Sequence, residues 1–282
     1  MEVFETKNGK QINSKKIMIM GIINLTPDSF YSKSRSHSFK EGVENAIRLI
    51  EEGADIIDLG GESTRPGALP VDENEEKKRV IPVLKELRKN WNGLISIDTY
   101  KSEVAREAID EGADIINDIS GLRFDPQMVD VVSRSGIPVV IMHTSGRPAE
   151  MQMRTDYRNL MLEIINYISR SISMLCEKGY PEKRIIIDPG IGFGKTVEQN
   201  LHIIANLKLL KVLKRPILVG ASRKSFIGAL SGNVPPEERL PGSLAAAIMA
   251  VLNGARIIRT HDVKETIQAI KIASEILERK EV

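Results

Sequence analysis

Short runs of β-branched and other apolar residues alternate along this chain with longer segments in which apolar residues recur every three or four positions. Because most of the short runs contain no alternating polar residues, they predict strands buried on both faces, as in a parallel sheet. The longer segments predict amphipathic helices with one apolar face. One of them has apolar residues at steps of four, four, four and three, at Leu160, Ile164, Ile168, Ile172 and Leu175.

The pattern predicts eight strands with helices between them: Ile17–Ile23, Ile56–Leu59, Leu94–Ile97, Ile115–Ile116, Pro138–Met142, Ile185–Ile187, Pro216–Val219 and Arg256–Ile258. Eight units in this chain correspond to about 35 residues each, the usual size of one βα unit. We therefore predict an α/β fold, a single (β/α)8 TIM barrel, with residues 1–282 forming one domain. A doubly wound open sheet is the structural alternative, because a count of strands does not show closure.

Three segments share one plan, in which a glycine ends a helix, a short apolar strand follows and a polar residue ends the strand: Gly53–Asp58, Gly112–Asn117 and Gly254–Arg259. Asp58, Asn117 and Arg259 are therefore predicted to occupy equivalent places on three units. In a barrel these places share one rim, and active sites are built at that rim.

The overall composition excludes several classes of protein. Forty Lys and Arg residues nearly balance thirty-eight Asp and Glu residues, so no strong field attracts nucleic acid or an anionic membrane. The lone Cys176 excludes an intramolecular disulfide framework and a multi-Cys metal site. The first sixteen residues have no apolar core, and the longest apolar run, Leu244–Leu252, is about half a membrane span. We expect a cytoplasmic globular protein with no nucleic-acid or membrane partner.

Polar residues follow the other predicted strands too, at Asn24, Asp98, His143, Asp188 and Gly220–Lys224. A single polar residue at a strand end is readily explained as a cap of the next helix. Polar residues at the ends of all the strands are harder to explain by capping alone, so we predict a polar pocket. Its acceptors suit a heterocycle edge that carries N–H donors, and they are Asp58, Asp98, Asn117 and Asp188. Its cations suit a phosphate or diphosphate, and they are Arg65, Lys224, Arg259 and, if protonated, His261. The pattern therefore favours a heterocycle with a phosphorylated arm.

The segment Gly190–Thr196 looks like a phosphate-binding loop but does not match one. The Walker A spacing requires a glycine where the chain has Pro189, and Lys195 stands where a dinucleotide-binding loop would need its third glycine. His143 is interpreted as a packed residue at a strand end. Two long loops, residues 26–38 and 61–71, are predicted to act as lids.

Several blocks of the chain resemble the dihydropteroate synthase family, whose members are pterin-binding TIM barrels. They occur in family order and span residues 17–263, and they include Met20–Phe30, Asp58–Gly67, Ser96–Thr99, Ile116–Gly121, Met142-His143, Asp188–Lys195, Ser222–Phe226 and Arg259–Val263. The resemblance implies an enzyme of folate biosynthesis. Such an enzyme joins 6-hydroxymethyl-7,8-dihydropterin diphosphate to 4-aminobenzoate, giving 7,8-dihydropteroate and diphosphate.

The resemblance also implies roles for individual residues. Asp98, Asn117, Asp188 and Lys224 would hold the polar edges of the pterin, and Met142 and Phe193 would line its faces. Asn24 would be a ligand of Mg²⁺ on the diphosphate. Thr64, Arg65, Arg259 and His261 would surround that anion. Phe30, Pro66 and Ser222 would shape the aminobenzoate pocket. As in the family, a homodimer is expected, and the apolar last helices could supply its interface.

The chain departs from the family pattern after Phe30, where Tyr31–Arg35 replaces the usual Ser-Asp-Gly-Gly. Three alternatives remain open at this point. A pterin-binding methyltransferase would share the barrel, Asn117 and Asp188 but would not need the anion site. A non-catalytic pterin carrier would bind without turnover. A phosphate-sugar barrel would not need the acidic residues of the pterin edge.

Overall fold

The computed structural model describes residues 4–6, 11–12, 16–26 and 35–279. Within them, two short strands form an antiparallel pair, β1 (Phe4–Glu5) and β2 (Gln11–Ile12). Eight further strands form one parallel sheet: β3 (Met18–Asn24), β4 (Ile56–Gly60), β5 (Leu94–Asp98), β6 (Ile115–Asp118), β7 (Val139–Met142), β8 (Ile185–Asp188), β9 (Leu218–Val219) and β10 (Ile257–Thr260). All eight correspond to the strands predicted from the sequence.

Helices alternate with these strands along the chain. In the described residues they are α1 (Arg35–Glu51), α2 (Glu73–Asn90), α3 (Ser102–Asp110), α4 (Met128–Ser135), α5 (Leu160–Cys176), α6 (Val197–Ala205), α7 (Ser225–Leu230), α8 (Leu240–Leu252) and α9 (Val263–Glu278). None of these helices is long and apolar enough to cross a membrane.

The sheet closes on itself, which decides between the two predicted architectures. Strands β3 to β8 pair in sequence order, β10 pairs with β3 on its other side, and β9 pairs with β10. The remaining gap between β8 and β9 is bridged where Ile187 meets Ile217, and the Ile187 amide donates to the Pro216 carbonyl at 3.0 Å. The (β/α)8 barrel is therefore confirmed and the open sheet is excluded.

Two layers of side chains fill the described barrel and its surroundings. Most buried apolar residues lie between the strands and the helices. A smaller cluster fills the closed end of the barrel with one or two residues from each strand: Met18, Met20, Ile56, Leu94, Ile115, Val140, Ile186, Leu218 and Ile257. Because side chains alternate between the two faces of a strand, the next inward position is two residues further along.

The repeated Gly-Ala motif ends a helix in the same way three times. Gly53, Gly112 and Gly254 have φ angles of 103°, 98° and 108°, a region that favours glycine, as predicted for helix ends. In two copies the motif continues with an aspartate, and its side chain accepts a backbone amide at the start of the neighbouring strand. Asp55 accepts the Ile19 amide at 2.9 Å, and Asp114 accepts the Ile95 amide at 2.9 Å.

These aspartates predict a measurable loss of stability. Asp114 is buried and also pairs with Arg88, so Asp114→Ala leaves the Ile95 amide without this acceptor and Arg88 without this carboxylate. We expect the free energy of unfolding to fall by about 2 kcal/mol in urea denaturation. Asp114→Asn keeps an acceptor oxygen and should lose less. An Asp114→Ala protein within about 0.5 kcal/mol of wild type, the range of an ordinary surface change, would contradict this account.

Candidate active site

A polar layer lies directly above the apolar layer of the barrel. Seven of its inward positions, each two residues beyond a member of the closed-end cluster, are Asp58, Ser96, Asn117, Met142, Asp188, Gly220 and Arg259. Five of these seven positions are polar, so most of the described strands change from apolar to polar between one inward position and the next, at the carboxyl end of the barrel. This is the rim at which the sequence predicted a pocket.

Arg259 is the centre of this layer. Its Nε donates to Asp58 Oδ2 at 2.6 Å, and its Nη2 donates to Asp98 Oδ2 at 2.7 Å. Asn117 Nδ2 donates to the same Asp58 oxygen at 3.1 Å. Asp58, Asn117 and Arg259, which the repeated motif predicted to share one rim, are thus in direct contact. The sequence did not predict that Arg259 would be held by two carboxylates.

Burial controls the protonation of the carboxylates in this layer. It raises the pKa of Asp98 to about 7, because the loss of water outweighs the attraction of Arg259, and the nearby Asp58 acts in the same direction. Burial also raises the pKa of Asp188 to about 6, against the charges of Lys224 and Arg259. For Arg259, burial favours the neutral form, but Asp58 and Asp98 outweigh it and hold the pKa above its ordinary value.

An apolar wall borders the polar layer on one side. Tyr100, Ile119, Met142, Met151 and Phe193 form a separate buried cluster there. Lys224 Nζ lies 4.3 Å from the centre of the Phe193 ring, within the range of a cation–π contact. Burial and the positive Arg259 lower the pKa of Lys224 to about 8. Met142, Phe193 and Lys224, all predicted pocket residues, therefore meet on this side.

The loop that joins β8 to α6, residues 189–196, brings Asp188 and Phe193 together. The Gly190 amide donates to Asp188 Oδ1 at 2.6 Å, so this carboxylate is fixed by its own loop. Gly190 has a φ angle of 72°, and a side chain there would collide with the carbonyl of His143. Glycine is therefore required for the loop to lie against the end of β7.

On another side of the carboxyl end of the barrel, Ser222 Oγ lies 3.0 Å from His261 Nδ1. The same oxygen accepts a hydrogen bond from the His261 amide at 3.2 Å. Asn24 Nδ2 lies 3.5 Å from His261 Nε2. Burial, followed by the charge of Arg259, lowers the pKa of His261 to about 3. The sequence predicts His261 to be a cation only if it is protonated. Because its pKa is so low, His261 is neutral near pH 7 and serves as a hydrogen-bonding group.

The loop 61–71 carries the remaining predicted residues. Thr64 is half-buried, whereas Arg65 and Pro66 are exposed, so the described structure does not bring their side chains into the buried layer. The charge of Arg65 nevertheless contributes to the lowered pKa of Lys224. The Gly67 amide donates to the Pro148 carbonyl at 3.0 Å, which joins this loop to the one after β7. Phe30 and most of the predicted lid 26–38 lie outside the described residues.

Some residues near the site were not identified from the sequence. Glu62 accepts the Val71 amide at 2.7 Å and the Tyr100 hydroxyl at 2.6 Å, and Lys101 pairs with both Glu62 and Glu76. This network fixes both ends of the loop 61–71. Only the position of Glu62 inside the second motif pointed to it, because its partners come from the far end of the loop, from the segment between β5 and α3 and, through Lys101, from α2.

The chain matches the model of the family described as pterin binding enzyme over residues 20–261. It is 44% identical to the dihydropteroate synthase of Escherichia coli over 93% of each protein. It superimposes with a TM-score of 0.92 on a Yersinia pestis dihydropteroate synthase in complex with a sulfonamide drug, at 38% identity over 98% of this chain and 99% of that one. It also resembles the Xanthomonas albilineans dihydropteroate synthase in complex with 7,8-dihydropteroate, with a TM-score of 0.87 and 33% identity over the full length of both.

The raised pKa of Asp98 predicts how stability depends on pH. An unfolded aspartate has a pKa of about 3.9, whereas Asp98 in the folded protein keeps its proton up to about pH 7. Between these values the folded state binds more protons, so this group lowers the free energy of unfolding as the pH rises. Asp98→Asn cannot ionise, and its stability should therefore fall less steeply between pH 5 and pH 7.

Chemical denaturation at pH 5 and at pH 7 measures the difference in slope between Asp98→Asn and wild type, which is on the order of 1 kcal/mol for each pH unit. Asp110→Asn is the matched control, because Asp110 is exposed on α3. Its slope should equal that of wild type. Equal slopes for Asp98→Asn and wild type would show that Asp98 ionises normally in the folded protein.

Proposed function

The chain belongs to the pterin-binding enzyme family and shares the activity of its dihydropteroate synthase relatives, and we propose how its own residues perform that reaction. The substrates are 6-hydroxymethyl-7,8-dihydropterin diphosphate and 4-aminobenzoate. The C–O bond to the diphosphate breaks and a C–N bond to the aniline nitrogen forms. The diphosphate leaves with the electron pair, and the nitrogen loses a proton.

The observation that carries this proposal is a set of buried oxygens in the polar layer. Among the described residues, Asp58 Oδ1, Asp98 Oδ1 and Ser96 Oγ are buried without a hydrogen-bond partner. A buried acceptor without a donor is costly, so such atoms favour a bound molecule that supplies N–H groups. The amino-pyrimidinone edge of a pterin carries such donors. Asp98 and Asp188 would accept from it, while the Asn117 amide and Lys224 would hold its remaining polar edge.

The apolar wall would hold the faces of the pterin ring. Met142 and Phe193 are buried in one cluster, and Lys224 lies over the Phe193 ring, so a flat ring placed against this wall would be removed from water. Burial strengthens each hydrogen bond along the ring edge, because the local dielectric is low. Ring faces and ring edges would therefore be recognised by different parts of one pocket.

The diphosphate would lie on the opposite side, near the start of α9. Arg259 uses two of its five N–H groups on Asp58 and Asp98, so others remain for an anion. His261 and Ser222 would add hydrogen bonds, and Thr64 and Arg65 would reach the anion from the loop 61–71. Ser222, with Pro66 and Phe30, would also border the aminobenzoate.

A Mg²⁺ ion on the diphosphate fits the donors that the chain offers. No group of three His, Cys, Asp or Glu residues able to hold a metal occurs among the described residues, so this part of the chain alone builds no metal cage. Asn24 is half-buried at the end of β3, and its amide oxygen is the ligand that the chain would provide. Mg²⁺ is commonly held by one or two protein oxygens, substrate phosphates and water. Once bound, it would neutralise charge on the leaving group.

We infer a dissociative substitution without a covalent enzyme intermediate. The dihydropterin ring can share the positive charge that develops on its methylene carbon as the diphosphate departs. Asp98 and Asp188, when ionised beside the ring, would stabilise that charge. The aniline nitrogen is already nucleophilic, so no side chain is needed to attack. Hydrogen bonds from the pterin would favour the ionised form of both carboxylates, opposing the effect of burial.

Turnover measured by mass spectrometry tests the proposal. Wild-type protein with the dihydropterin diphosphate, 4-aminobenzoate and Mg²⁺ should form dihydropteroate. Asp188→Ala should form at least a hundredfold less, because one buried acceptor of the ring edge is lost; a misplaced substrate alone costs about that factor. Product from wild type but equally from Asp188→Ala would remove Asp188 from the site. Pterin binding without any product would favour the carrier.

Asp98→Asn separates two roles in the same assay. If Asp98 stabilises the developing cation, kcat should fall more than the affinity for the pterin substrate does. Weaker binding with unchanged kcat would instead limit Asp98 to holding the ring.

We propose a homodimer that uses the last two helices. Several apolar side chains on α8 and α9 are exposed, and they include Met249, Leu252, Ile272 and Ile276. The two helices pack against each other, so these residues belong to one region of the barrel's outer layer. Packing on the barrel alone leaves them in water, whereas a second copy would cover them.

Light scattering should give twice the mass of the 31.4 kDa chain at micromolar concentration. Ile276→Asp should shift the protein toward the monomer, because it places a charge in the proposed interface. Leu69→Asp is the control, since Leu69 is more exposed but lies on the loop 61–71. A 31.4 kDa species at every concentration would exclude the dimer.

A further inference from the structure

Lys195 is a buried cation to which the proposed reaction gives no role. Its side chain lies in the loop 189–196, and the residue is only 4% exposed. Nζ donates to the Phe193 carbonyl at 2.8 Å and lies 3.0 Å from His143 Nδ1. Removing an ammonium group from water is costly, so its position inside the barrel mouth requires compensation by these acceptors and by nearby charge.

The carbonyls of this loop are held by side chains on both sides of the Lys195 contact. Gln152 Nε2 donates to the Gly192 carbonyl at 3.0 Å, and the Tyr157 hydroxyl donates to the Gly194 carbonyl at 2.8 Å. Lys195 holds the carbonyl between them, that of Phe193, whose ring forms part of the apolar wall. Three consecutive carbonyls are therefore fixed, and Lys195 fixes the one that positions the ring.

His143 connects this contact to β7. Burial, followed by the charge of Lys195, lowers the pKa of His143 to about 2, so the ring is neutral and its Nδ1 accepts from Lys195. The ring also packs edge-on against Tyr167, with 4.9 Å between ring centres. The His143 amide donates to the Asp188 carbonyl at 3.0 Å. Phe193, Lys195, His143 and Asp188 are thus linked across the end of two strands.

Lys195 also balances the charge of the site. The cations that act on Asp188 are Lys224, Arg259 and Lys195, and each lowers its pKa against the effect of burial. In return, Asp188 favours the charged form of Lys195, while burial and Lys224 oppose it. Without Lys195, one of the three positive charges facing this carboxylate would be missing.

We propose that Lys195 is a positioning residue for the pterin substrate: it clamps the Phe193 carbonyl to His143 and supplies one of the positive charges that face Asp188. The inference rests on the proposed function, because it concerns the pocket that would hold the pterin. It explains why a lysine follows the glycine-rich segment although no phosphate-binding spacing is present. The lysine points into the protein and acts on the loop itself.

Lys195→Met keeps most of the side-chain length and removes both the donors and the charge. We expect kcat/KM for the dihydropterin diphosphate to fall about tenfold, because the Phe193 ring is no longer fixed. We also expect the acid limb of its pH profile to move to higher pH, because Asp188 loses a favourable charge and ionises at higher pH. Lys208→Met, which removes an exposed lysine from the segment after α6, should leave the acid limb where it is in wild type.

Binding of 6-hydroxymethylpterin, which has no leaving group, gives a second readout by calorimetry. Lys195→Met should bind it about tenfold more weakly than wild type does. If wild type neither binds this pterin nor forms product, the proposed function fails. If wild type does both and Lys195→Met matches it in affinity and in pH profile, only the role of Lys195 is overturned.

A pair of His143 variants covers the case in which Lys195→Met does not fold. His143→Leu removes the acceptor of Lys195 but leaves its charge, and it should weaken pterin binding several-fold. His143→Asn places an oxygen near the position of Nδ1 and should restore much of the affinity. Equal, wild-type affinity in both variants would overturn the proposal.

Discussion

A guanidinium group held between two buried carboxylates is the interaction on which the mouth of this barrel depends. Asp58 lies on β4, Asp98 ends β5 and Arg259 lies on β10, so one cluster ties together strands that are far apart in the sequence. Three ionisable groups can lie together inside a barrel only if they compensate one another's loss of water. The cluster therefore fixes the floor of the pocket, and it leaves one oxygen of each carboxylate without a partner among the described residues.

The same burial adjusts the chemistry of the site. Asp98 and Asp188 hold their protons to a higher pH than exposed aspartates do, and Lys224 and Lys195 lose theirs at a lower pH than exposed lysines do. Each of these pKa shifts reflects the free-energy cost of holding a charged group away from water. A substrate that brings N–H donors to the carboxylates and negative charge to the cations would supply what water no longer does. The pocket is thus prepared for a ligand that is polar at its edge and anionic at one end.

Two kinds of support surround this floor. The loop 189–196 is held closely by side chains on its carbonyls, and this rigidity suits a wall that must fit a flat ring. The loop 61–71 is fixed at its ends by Glu62 and touches the neighbouring loop through Gly67, whereas Arg65 and Pro66 at its centre are exposed. A rigid wall and a loop attached only at a few points suit a site that binds one substrate deeply and the other near the surface.

The sequence by itself determined the eight alternating strand and helix units and the strand ends at which polar residues collect. Strand burial and helix periodicity are local patterns, which is why the sequence shows them. The plan shared by Gly53–Asp58 and its two repeats also predicted that Asp58, Asn117 and Arg259 end their strands at the same rim. The family motifs contain several of the residues that meet at the carboxyl end of the barrel. Only the tertiary structure decided that the sheet closes at Ile187 and Ile217, that Arg259 pairs with two carboxylates and that Lys195 points inward to His143. These outcomes depend on which side chains meet across the barrel and on how much water they lose, and neither quantity is set by neighbours in the sequence.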